Sequence, residues 1–429
     1  MNALFNRPSV HQSVQTIAAD PRLRRVFESP VPAVVLFPVS HAVAFSVIRA
    51  LRDQSIPILA VDFKEQAAGL YSRNVTSLLL PNFYRSETEF VAGMMAIGRC
   101  FRERPVLFFV DDDDLILSLK TQEDFERYYR LPLSPWPIVE SVMNKGRLYR
   151  ICQERGYPIP DTWFASSLDD VDRQKNNLKF PCIIKPTYST RFRQAFGVKA
   201  RRFDDFPALR KFARRVIEAG IEFVIQEFIA GAADSLYTYA AYSNDEGRVI
   251  GGFTGRKLHQ FPPDFGTCRL AESVNDPELE RAGRELIGIL RYRGISLIEY
   301  KRDPVGRFRL IEINPRPGDW PESLAQECGA NIVWMAYRAA TDRPVDPAIG
   351  RGVGVKWANL AEDFYYCVRG YRLLGYPTAH RGFFGWLKDI RGLHAEAFFS
   401  WRDPVPAWVR LKGMCREFAE RERRLVRSL

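Results

Sequence analysis

Two apolar segments of the sequence carry acidic side chains at positions where buried strands normally hold apolar ones. ISLIEYKR (residues 295–302) and RFRLIEINPRP (residues 307–317) flank the turn DPVG, so we predict a β-hairpin. Glu312 and Asn314 are two residues apart and therefore point to the same face of their strand. Glu299 precedes Glu312 by thirteen residues, which lets a hairpin place both carboxylates on one face of adjacent strands. In any fold that contains this hairpin, these carboxylates must contact either solvent or a cation.

The three oxygen-bearing side chains suggest a metal site. Two carboxylates and an amide form an all-oxygen ligand set, which suits Mg²⁺. Because Mg²⁺ usually shares its coordination shell with phosphates, such a set also implies a nucleotide nearby. Arg316, two residues after Asn314, is suited to hold a phosphate or a developing oxyanion. The alternative from spacing alone is an ordinary hairpin with charges that face solvent.

The first 140 residues alternate apolar strands with helical segments. PAVVLFPVS, IPILAVDF and RPVLFFVDDDD read as buried strands, and HAVAFSVIRALRDQ has helical periodicity. This alternation predicts a parallel, doubly wound α/β domain over residues 1–140. The acidic run at 111–114 has two interpretations, a metal site or the end of a strand followed by a helix N-terminus, where carboxylates suit the dipole.

A Pro-rich stretch, LPLSPWPIVESVMNK, marks a boundary near residue 140. Beyond it, helical segments are mixed with strands such as FPCIIKP and EFVIQEFI, and LYTYAAYSN and GRVIGGFTGRKL are predicted to pair antiparallel. Residues 141–345 are therefore predicted to form an α+β domain. Residues 346–429 form a mixed, largely helical C-terminal extension that carries no interpretable motif.

Composition limits the possible partners and locations. The 429-residue chain has a formal net charge of +11, which favours an anionic partner, and the basic residues are spread widely without a nucleic-acid-binding module. An anionic small-molecule substrate is the simplest explanation. We find no apolar run long enough to cross a bilayer and no signal-peptide core, and the seven cysteines are not arranged as a zinc or disulfide framework. These features predict a cytoplasmic protein.

Several cationic and hinge-like features lie around the hairpin in the sequence. Lys145 opens a helix, where a cation is unfavourable unless an anion shares the site. Lys185 ends an apolar strand, where it is expected to act through its charge. The strand FVIQEFIAG ends in a hinge-like segment, and TGRKLHQ adds Arg256 and Lys257. Each feature alone has an ordinary structural explanation.

Taken together, Lys145, the IIKP strand, IQEFIAG, Glu299 and EINPR resemble the ATP-grasp superfamily in order and approximate spacing. The resemblance covers roughly residues 140 to 345, and the ExNxR ending with its upstream glutamate is its most specific element. It implies two α+β lobes that hold ATP, with a hinge near 226–231. The cofactors that it implies are ATP and Mg²⁺, expected as two ions, with Mn²⁺ as an alternative metal.

The resemblance also assigns roles to residues. The ATP-contacting residues would be Lys145, Lys185, Gln226, Glu227, Phe228, Ile229, Asp234 (ribose) and Lys257. The metal ligands would be Glu299, Glu312 and Asn314, and the catalytic cations would be Arg256, Lys257 and Arg316. One departure is the segment PTYSTRFRQAFGVKA, which is poor in glycine where many family members close a Gly-rich loop over the γ-phosphate. We expect a mobile lid there that uses side chains such as Arg191 and Arg193.

The implied function is an ATP-dependent carboxylate–amine ligase that works through an acyl phosphate. Its sequence is loosely similar to stand-alone ligases such as the D-aspartate ligases. The alternatives are chemistry like that of carbamoyl phosphate synthase or a carboxylase, with bicarbonate as substrate, and a non-catalytic nucleotide- or nucleic-acid-binding protein. The expected partners are small-molecule carboxylate and amine substrates and, in a homodimer, a second copy of the chain. His259 is expected to be structural or to contact substrate.

Overall fold

The computed structural model describes residues 9–10, 14–80 and 86–428. Its N-terminal region contains a five-stranded sheet in which neighbouring strands all run parallel. The strands are β1 (Ser9–Val10), β2 (Val34–Phe37), β3 (Ile58–Asp62), β4 (Thr76–Leu79) and β5 (Val106–Phe109), in the spatial order β1-β4-β3-β2-β5. The helices of this region are α1 (Pro21–Phe27), α2 (Ala42–Arg52), α3 (Glu87–Gly98), α4 (Asp112–Lys120), α5 (Gln122–Glu126) and α6 (Trp136–Met143).

Helices cover both faces of this parallel sheet. Val35 and Phe37 of β2 pack in one core with α1 and α3, whereas Val34 and Leu36 pack in another with α2. Successive strand residues point to opposite faces, so β2 is buried on both sides. The N-terminal region is therefore doubly wound. The carboxyl ends of β2, β3 and β5 lie at the same sheet edge.

A smaller, four-stranded antiparallel sheet follows, in the order β6-β9-β7-β8. Its elements are α7 (Lys145–Glu154), β6 (Thr162–Ala165), α8 (Leu168–Arg173), β7 (Cys182–Pro186), α9 (Ser189–Phe196), β8 (Arg201–Phe203), α10 (Phe206–Glu218) and β9 (Phe223–Glu227). Leu209, Phe212 and Val216 of α10 pack against β7 and β9 in a core of their own. This region forms one lobe beside the larger sheet.

The largest sheet has eight strands, in the order β14-β13-β10-β11-β12-β16-β17, with β15 pairing to β11. Its elements up to residue 340 are β10 (Leu236–Ser243), β11 (Val249–Phe261), β12 (Thr267–Val274), α11 (Pro277–Leu290), β13 (Gly294–Arg302), β14 (Phe308–Asn314), α12 (Trp320–Glu327) and α13 (Ile332–Ala340). The structure confirms the predicted antiparallel pairing of β10 with β11 and the predicted hairpin of β13 and β14.

The C-terminal segment adds three strands to this same sheet. Its elements are β15 (Ala348–Gly350), β16 (Lys356–Ala358), α14 (Leu360–Tyr365), α15 (Tyr371–Leu373), α16 (Gly382–Asp389), β17 (Leu393–Glu396) and α17 (Val405–Ser428). β16 pairs antiparallel with β12 and parallel with β17. The segment is mostly helical, as predicted, but it is built into the large sheet, a long-range pairing that local periodicity does not reveal.

Helices α12 and α13 join the large sheet to the parallel one. Leu324 and Val333 share a core with Phe45 of α2. The Ser46 hydroxyl donates to the Gly318 carbonyl at 2.5 Å, and the Tyr337 hydroxyl donates to the Pro32 carbonyl at 2.6 Å. The Ser46–Gly318 contact links α2, which follows the carboxyl end of β2, to the segment after β14, whereas the Tyr337–Pro32 contact lies at the amino end of β2. Among the helices of the described ranges, none is both long and apolar enough to span a membrane.

Candidate active site

A cleft of about 820 Å³ lies between the small sheet, the large sheet and the carboxyl edge of the parallel sheet. Most of the residues predicted from the sequence to bind ATP or metal line it. They are Lys145, Lys185, Gln226, Glu227, Phe228, Ile229, Lys257, Glu299, Glu312, Asn314 and Arg316. The fold thus brings together residues that are up to 171 positions apart in the chain, from Lys145 to Arg316.

The two glutamates of the hairpin lie directly opposite each other. Glu299 of β13 is the cross-strand partner of Glu312 of β14, and a register irregularity follows Glu299. The Lys257 ammonium lies 2.7 Å from Oε2 of Glu299, and the Lys145 ammonium lies 3.6 Å from Oε2 of Glu312. In this structure each carboxylate therefore has a cationic partner.

Lys185 is buried and held by two hydrogen bonds. Its Nζ donates to the Tyr149 hydroxyl at 2.8 Å and to the Ile311 carbonyl at 2.7 Å, and the Tyr149 hydroxyl itself donates to that carbonyl at 2.5 Å. Burial lowers the pKa of Lys185, and the nearby Glu312 and Glu299 oppose this shift. The ammonium group is therefore oriented at the floor of the cleft before any ligand binds.

The charge around Glu312 is strongly positive. Burial by itself would raise the pKa of Glu312, but Lys145, Lys185, Lys199 and Lys257 together lower it well below its ordinary value. Lys199 was not predicted from the sequence. Its side chain is exposed to solvent within the cleft. Desolvation by the cleft walls nevertheless lowers the pKa of Lys199. Four lysines around two carboxylates leave an excess of positive charge, which suits a polyphosphate.

The hinge after β9 forms another part of the wall. The Glu227 amide donates to the Asp161 carbonyl at 2.8 Å and the Phe228 amide to the Pro181 carbonyl at 3.1 Å, so these two N–H groups bind protein rather than ligand. Lys301, another residue that sequence reasoning missed, lies with its ammonium 5.1 Å from the Phe228 ring centre and lines the cleft. The hinge is therefore bordered by an aromatic ring and a cation.

Two predicted site residues lie elsewhere. Arg256 does not line the cleft, because adjacent residues of β11 point to opposite faces and Lys257 occupies the cleft side. The Arg256 guanidinium instead pairs with Glu272 at 2.6 Å, so its placement does not support the predicted catalytic role. Asp234, predicted at the ribose, is exposed in a short 3₁₀ helix, Ala233–Ser235, that is not part of the cleft wall.

The glycine-poor segment after β7 is the helix α9 rather than the loop that was expected there. Helix α9 ends at Gly197, whose φ of 72° is in the left-handed region that favours glycine. Phe192 is fully buried against Phe196 and Phe212, with ring centres 4.9 Å and 6.0 Å away. The contact with Phe212 of α10 was not visible in local spacing. Ser189 and Thr190, at its N-terminal end, line the cleft.

The acidic run after β5 caps α4 and holds Arg316. Asp111 accepts from the Asp113 amide at 2.9 Å, and Asp112 accepts from Nε of Arg316 at 2.5 Å. Burial would lower the pKa of Arg316, but Asp112 raises it. Asp113 accepts a hydrogen bond from the Thr190 hydroxyl of α9. These partners fit the strand-end and helix-cap interpretation of the run.

The C-terminal segment also contributes to the cleft wall, which the sequence did not indicate. Its lining residues are Asn359, Glu362, Tyr366, Phe398, Val409, Arg410, Gly413, Glu417 and Phe418. Glu362 connects them to the sheet, because it pairs with Arg269 of β12 and with Arg410 of α17, both at 2.8 Å. Residues beyond 345 thus shape the side of the cleft that is formed with β12.

His259 is part of the structural framework. Its Nδ1 lies 3.0 Å from Asp363 and its Nε2 lies 3.2 Å from Asp389. The ring is buried and is not part of the cleft wall. Of the two roles expected for His259, its position favours the structural one, which ties β11 to the C-terminal helices.

No family model matches the chain, but curated proteins show sequence similarity to it. Over 268 residues the chain is 22% identical to D-aspartate ligase of Enterococcus faecium, a match that covers 58% of this chain and 62% of the relative. Over 231 residues it is 24% identical to the carbamoyl phosphate synthase large chain of Methanospirillum hungatei, covering 50% of this chain and 20% of that one. The chain therefore spans less than two thirds of the length of either relative.

Solved structures match a larger share of the chain than the two sequence relatives do. A βγ-ATP complex of biotin carboxylase from Campylobacter jejuni has a TM-score of 0.60 at 12% identity, covering 74% of this chain and 72% of that one. L-amino acid ligase from Bacillus licheniformis has a TM-score of 0.57 at 16% identity, covering 74% and 76%. At these identities the likeness concerns the fold. Together, the sequence and structural likenesses support the predicted resemblance to the ATP-grasp superfamily.

Proposed function

We propose that the protein is an ATP-dependent carboxylate–amine ligase that forms an amide bond and releases ADP and phosphate. The observation that carries this proposal is the arrangement of Lys145, Lys185, Lys199 and Lys257 around the opposed carboxylates of Glu299 and Glu312. A reaction between a carboxylate and ATP brings two anions together. It therefore requires fixed positive charge and oxygen ligands for a metal more than it requires a protein nucleophile.

The oxygen-rich part of the cleft fits a magnesium site. Glu299, Glu312 and Asn314 supply the hard oxygen donors that Mg²⁺ prefers, and all three line the cleft. We propose them as ligands, with two ions as the expected number and Mn²⁺ as the alternative metal. Bound Mg²⁺ would neutralise phosphate charge and polarise the transferred group. Without metal, Lys257 and Lys145 partly neutralise the two carboxylates.

The remaining roles follow from position in the cleft. Gln226 to Ile229 border the proposed adenine end, where Phe228 offers a ring face and Lys301 a cation. Lys145, Lys185 and Lys257 would bind the phosphates. Arg316, at the edge nearest the parallel sheet, would stabilise the oxyanion that forms when the amine attacks. Its guanidinium is oriented for this role by Asp112.

The proposed chemistry has two displacement steps. A carboxylate oxygen of the first substrate attacks the γ-phosphorus of ATP, and the bond to the β-γ bridging oxygen breaks to release ADP. The amine then attacks the acyl carbon and loses a proton, and phosphate leaves with the carboxylate oxygen. The buried cations stabilise charge in both steps because the cleft is partly shielded from water.

A bicarbonate-using enzyme is the second candidate. Two similarities favour it. The sequence is similar to the carbamoyl phosphate synthase large chain, and the fold is similar to that of the biotin carboxylase. The longer sequence match, to D-aspartate ligase, favours the ligase. Both candidates share the first step, so the identity of the carboxylate distinguishes them.

Trapping the activated carboxylate tests the proposal. The protein is incubated with ATP, Mg²⁺ and a panel of carboxylates that includes bicarbonate, with hydroxylamine in place of the amine. We expect ADP and a hydroxamate with an organic carboxylate, and ¹⁸O from that carboxylate in the released phosphate. Accumulation of AMP and pyrophosphate instead would show adenylation and contradict the proposed mechanism.

A matched pair of variants links this activity to the site. Glu312→Gln removes one proposed metal ligand and should lower ADP release by about a hundredfold or more while the protein stays folded. Glu246→Gln changes an exposed glutamate in the turn between β10 and β11 and should leave the rate unchanged. Equal rates for the two variants would remove Glu312 from the proposed site.

A further inference from the structure

The C-terminal segment exposes a cluster of large apolar side chains that the cleft does not use. We call Phe364, Phe383, Phe384 and Leu387 the aromatic patch; their exposed fractions are 41%, 48%, 83% and 47%. The cluster is continuous, since the ring centres of Phe364 and Phe383 are 6.5 Å apart and those of Phe383 and Phe384 are 5.5 Å apart. Leu387 lies one helical turn after them on α16. Contiguous exposed apolar surface usually marks an interaction site.

These side chains point outward because the opposite face of α16 contacts the rest of the protein. Trp386 is half-buried, its Nε1 donates to the buried Asp363 at 3.0 Å, and its ring lies 5.0 Å from that of Phe364. Asp389, at the end of the same helix, contacts His259 at 3.2 Å. One face of α16 is therefore tied to the protein, and Phe384 protrudes from the opposite face.

The stretch of sequence that carries the aromatic patch is rich in basic residues. Residues 364–392 contain five basic residues and one acidic residue, which gives a formal net charge of +4. The basic residues are Arg369, Arg372, Arg381, Lys388 and Arg391, all of them exposed. The acidic residue, Asp389, is already engaged by His259 and Arg381. The patch therefore combines protruding apolar side chains with positive charge.

We propose that the aromatic patch docks the protein peripherally onto an anionic lipid bilayer. Phe and Leu side chains on one side of a helix, with Lys and Arg beside them, are suited to the boundary between acyl chains and headgroups. The exposed cations of residues 364–392 would be attracted to anionic headgroups. A second copy of the chain is disfavoured as occupant, because a symmetric contact would bring two basic surfaces together. The proposal is independent of the ATP chemistry.

Vesicle co-sedimentation of the full-length protein tests this docking. The vesicles are pure phosphatidylcholine, or phosphatidylcholine with about one quarter phosphatidylglycerol. We expect binding to the anionic vesicles, at least about tenfold weaker binding to the neutral ones, and release when salt is raised to about 0.5 M, where surface charges are screened.

Variants assign the binding to the patch. Phe383→Ser with Phe384→Ser, and separately Lys388→Glu with Arg391→Glu, should each weaken binding to anionic vesicles by at least about tenfold. Both double variants should keep the wild-type melting temperature and ADP release, because these residues are exposed and do not line the cleft. Trp401→Ser is the matched control, since Trp401 is 89% exposed and outside the patch, and it should bind normally.

Three results would overturn the proposal. The first is that the wild-type protein does not bind anionic vesicles, and the second is that the Phe383 and Phe384 double variant binds as well as the wild type. The third is that the wild-type protein does not bind vesicles but forms a concentration-dependent dimer or binds a single-stranded oligonucleotide, and that the Phe383 and Phe384 double variant loses this interaction. That result would assign the patch to a second copy or to nucleic acid instead.

Discussion

At the scale of single residues, Lys185 is a buried cation that two hydrogen bonds hold in place. Its ammonium group donates to the Tyr149 hydroxyl and to the Ile311 carbonyl. The Tyr149 hydroxyl also donates to that carbonyl at 2.5 Å, so the carbonyl keeps a donor if Lys185 is replaced. Burial meanwhile lowers the pKa of Lys185, which means that the fold disfavours its charge.

We therefore predict that Lys185→Met separates ligand binding from stability. ATP affinity, measured by calorimetry, should fall at least about tenfold because one phosphate contact is lost. The free energy of unfolding without nucleotide should change by about 1 kcal/mol or less. Lys211→Met, an exposed lysine on α10, is the control and should change neither quantity. A large loss of stability in the apo Lys185→Met variant would show that Lys185 is structural instead.

Glu322 in α12 provides a prediction about pH. Its Oε2 accepts from the Gly318 amide at 2.8 Å, but among the described residues its buried Oε1 has no hydrogen-bond partner. Burial raises the pKa of Glu322 from 4.5 to about 8. The folded state therefore binds more protons than the unfolded state between these two pH values, and stability must fall as pH rises through this window.

Glu322→Gln should remove this dependence. Relative to the wild type, its free energy of unfolding should increase steadily from pH 5 to pH 8, by roughly 2–4 kcal/mol in total, and then level off. Urea unfolding at a series of pH values measures the difference. Glu278→Gln is matched by its position in the first turn of α11, but Glu278 is exposed, so its difference from the wild type should stay flat. A flat difference for Glu322→Gln as well would show that Glu322 is ionised in the folded state.

At the scale of secondary-structure elements, α9 is a helix with aromatic contacts where a loop was expected. Phe192, Phe196 and Phe212 pack together beneath it, and Thr190 links its first turn to Asp113. Order in this segment before ligand binding would reduce the conformational entropy lost when phosphates bind.

We predict that α9 is folded in the absence of nucleotide. Its amides should be protected in hydrogen exchange of the apo protein, and Phe192→Ala should destabilise the small lobe by about 3–5 kcal/mol because it removes a fully buried ring. Arg191→Ala, an exposed position on the same helix, should have little effect. Exchange of the α9 amides within seconds in the wild type would favour a mobile lid.

At the scale of the whole molecule, the C-terminal segment completes both the large sheet and the cleft. β16 pairs with β12, and Trp357 within β16 is 1% exposed. The segment also reaches the parallel-sheet region, where the Ser72 hydroxyl donates to Asp403 at 2.5 Å. Its loss would uncover apolar side chains and leave an unpaired strand edge, which promotes aggregation.

We therefore predict that residues 1–345 alone do not form a stable ATP-binding unit. The truncated chain should aggregate or unfold without a cooperative transition in calorimetry. Trp357→Ala in the full chain should unfold cooperatively but be about 3–5 kcal/mol less stable. A soluble 1–345 fragment that unfolds cooperatively and binds ATP would instead make residues 346–429 an independent extension.

The sequence by itself determined the local features of this protein. The β13–β14 hairpin, the opposed Glu299 and Glu312, and the alternation of strands and helices before residue 140 follow from periods of two and 3.6 residues, which backbone geometry imposes on neighbours in the chain. Alternation also required that Arg256 and Lys257 point to opposite sides of a strand.

Only the tertiary structure decided which features meet. The order of strands in the large sheet places Lys257 in the cleft and Arg256 against Glu272, and it brings Lys199 and the C-terminal helix α17 to the same cavity. Aromatic contacts from α10 turn a glycine-poor segment into the helix α9. These outcomes depend on packing between residues far apart in the chain. Such packing overrides local propensity because the apolar surface that it buries supplies most of the stability of the fold.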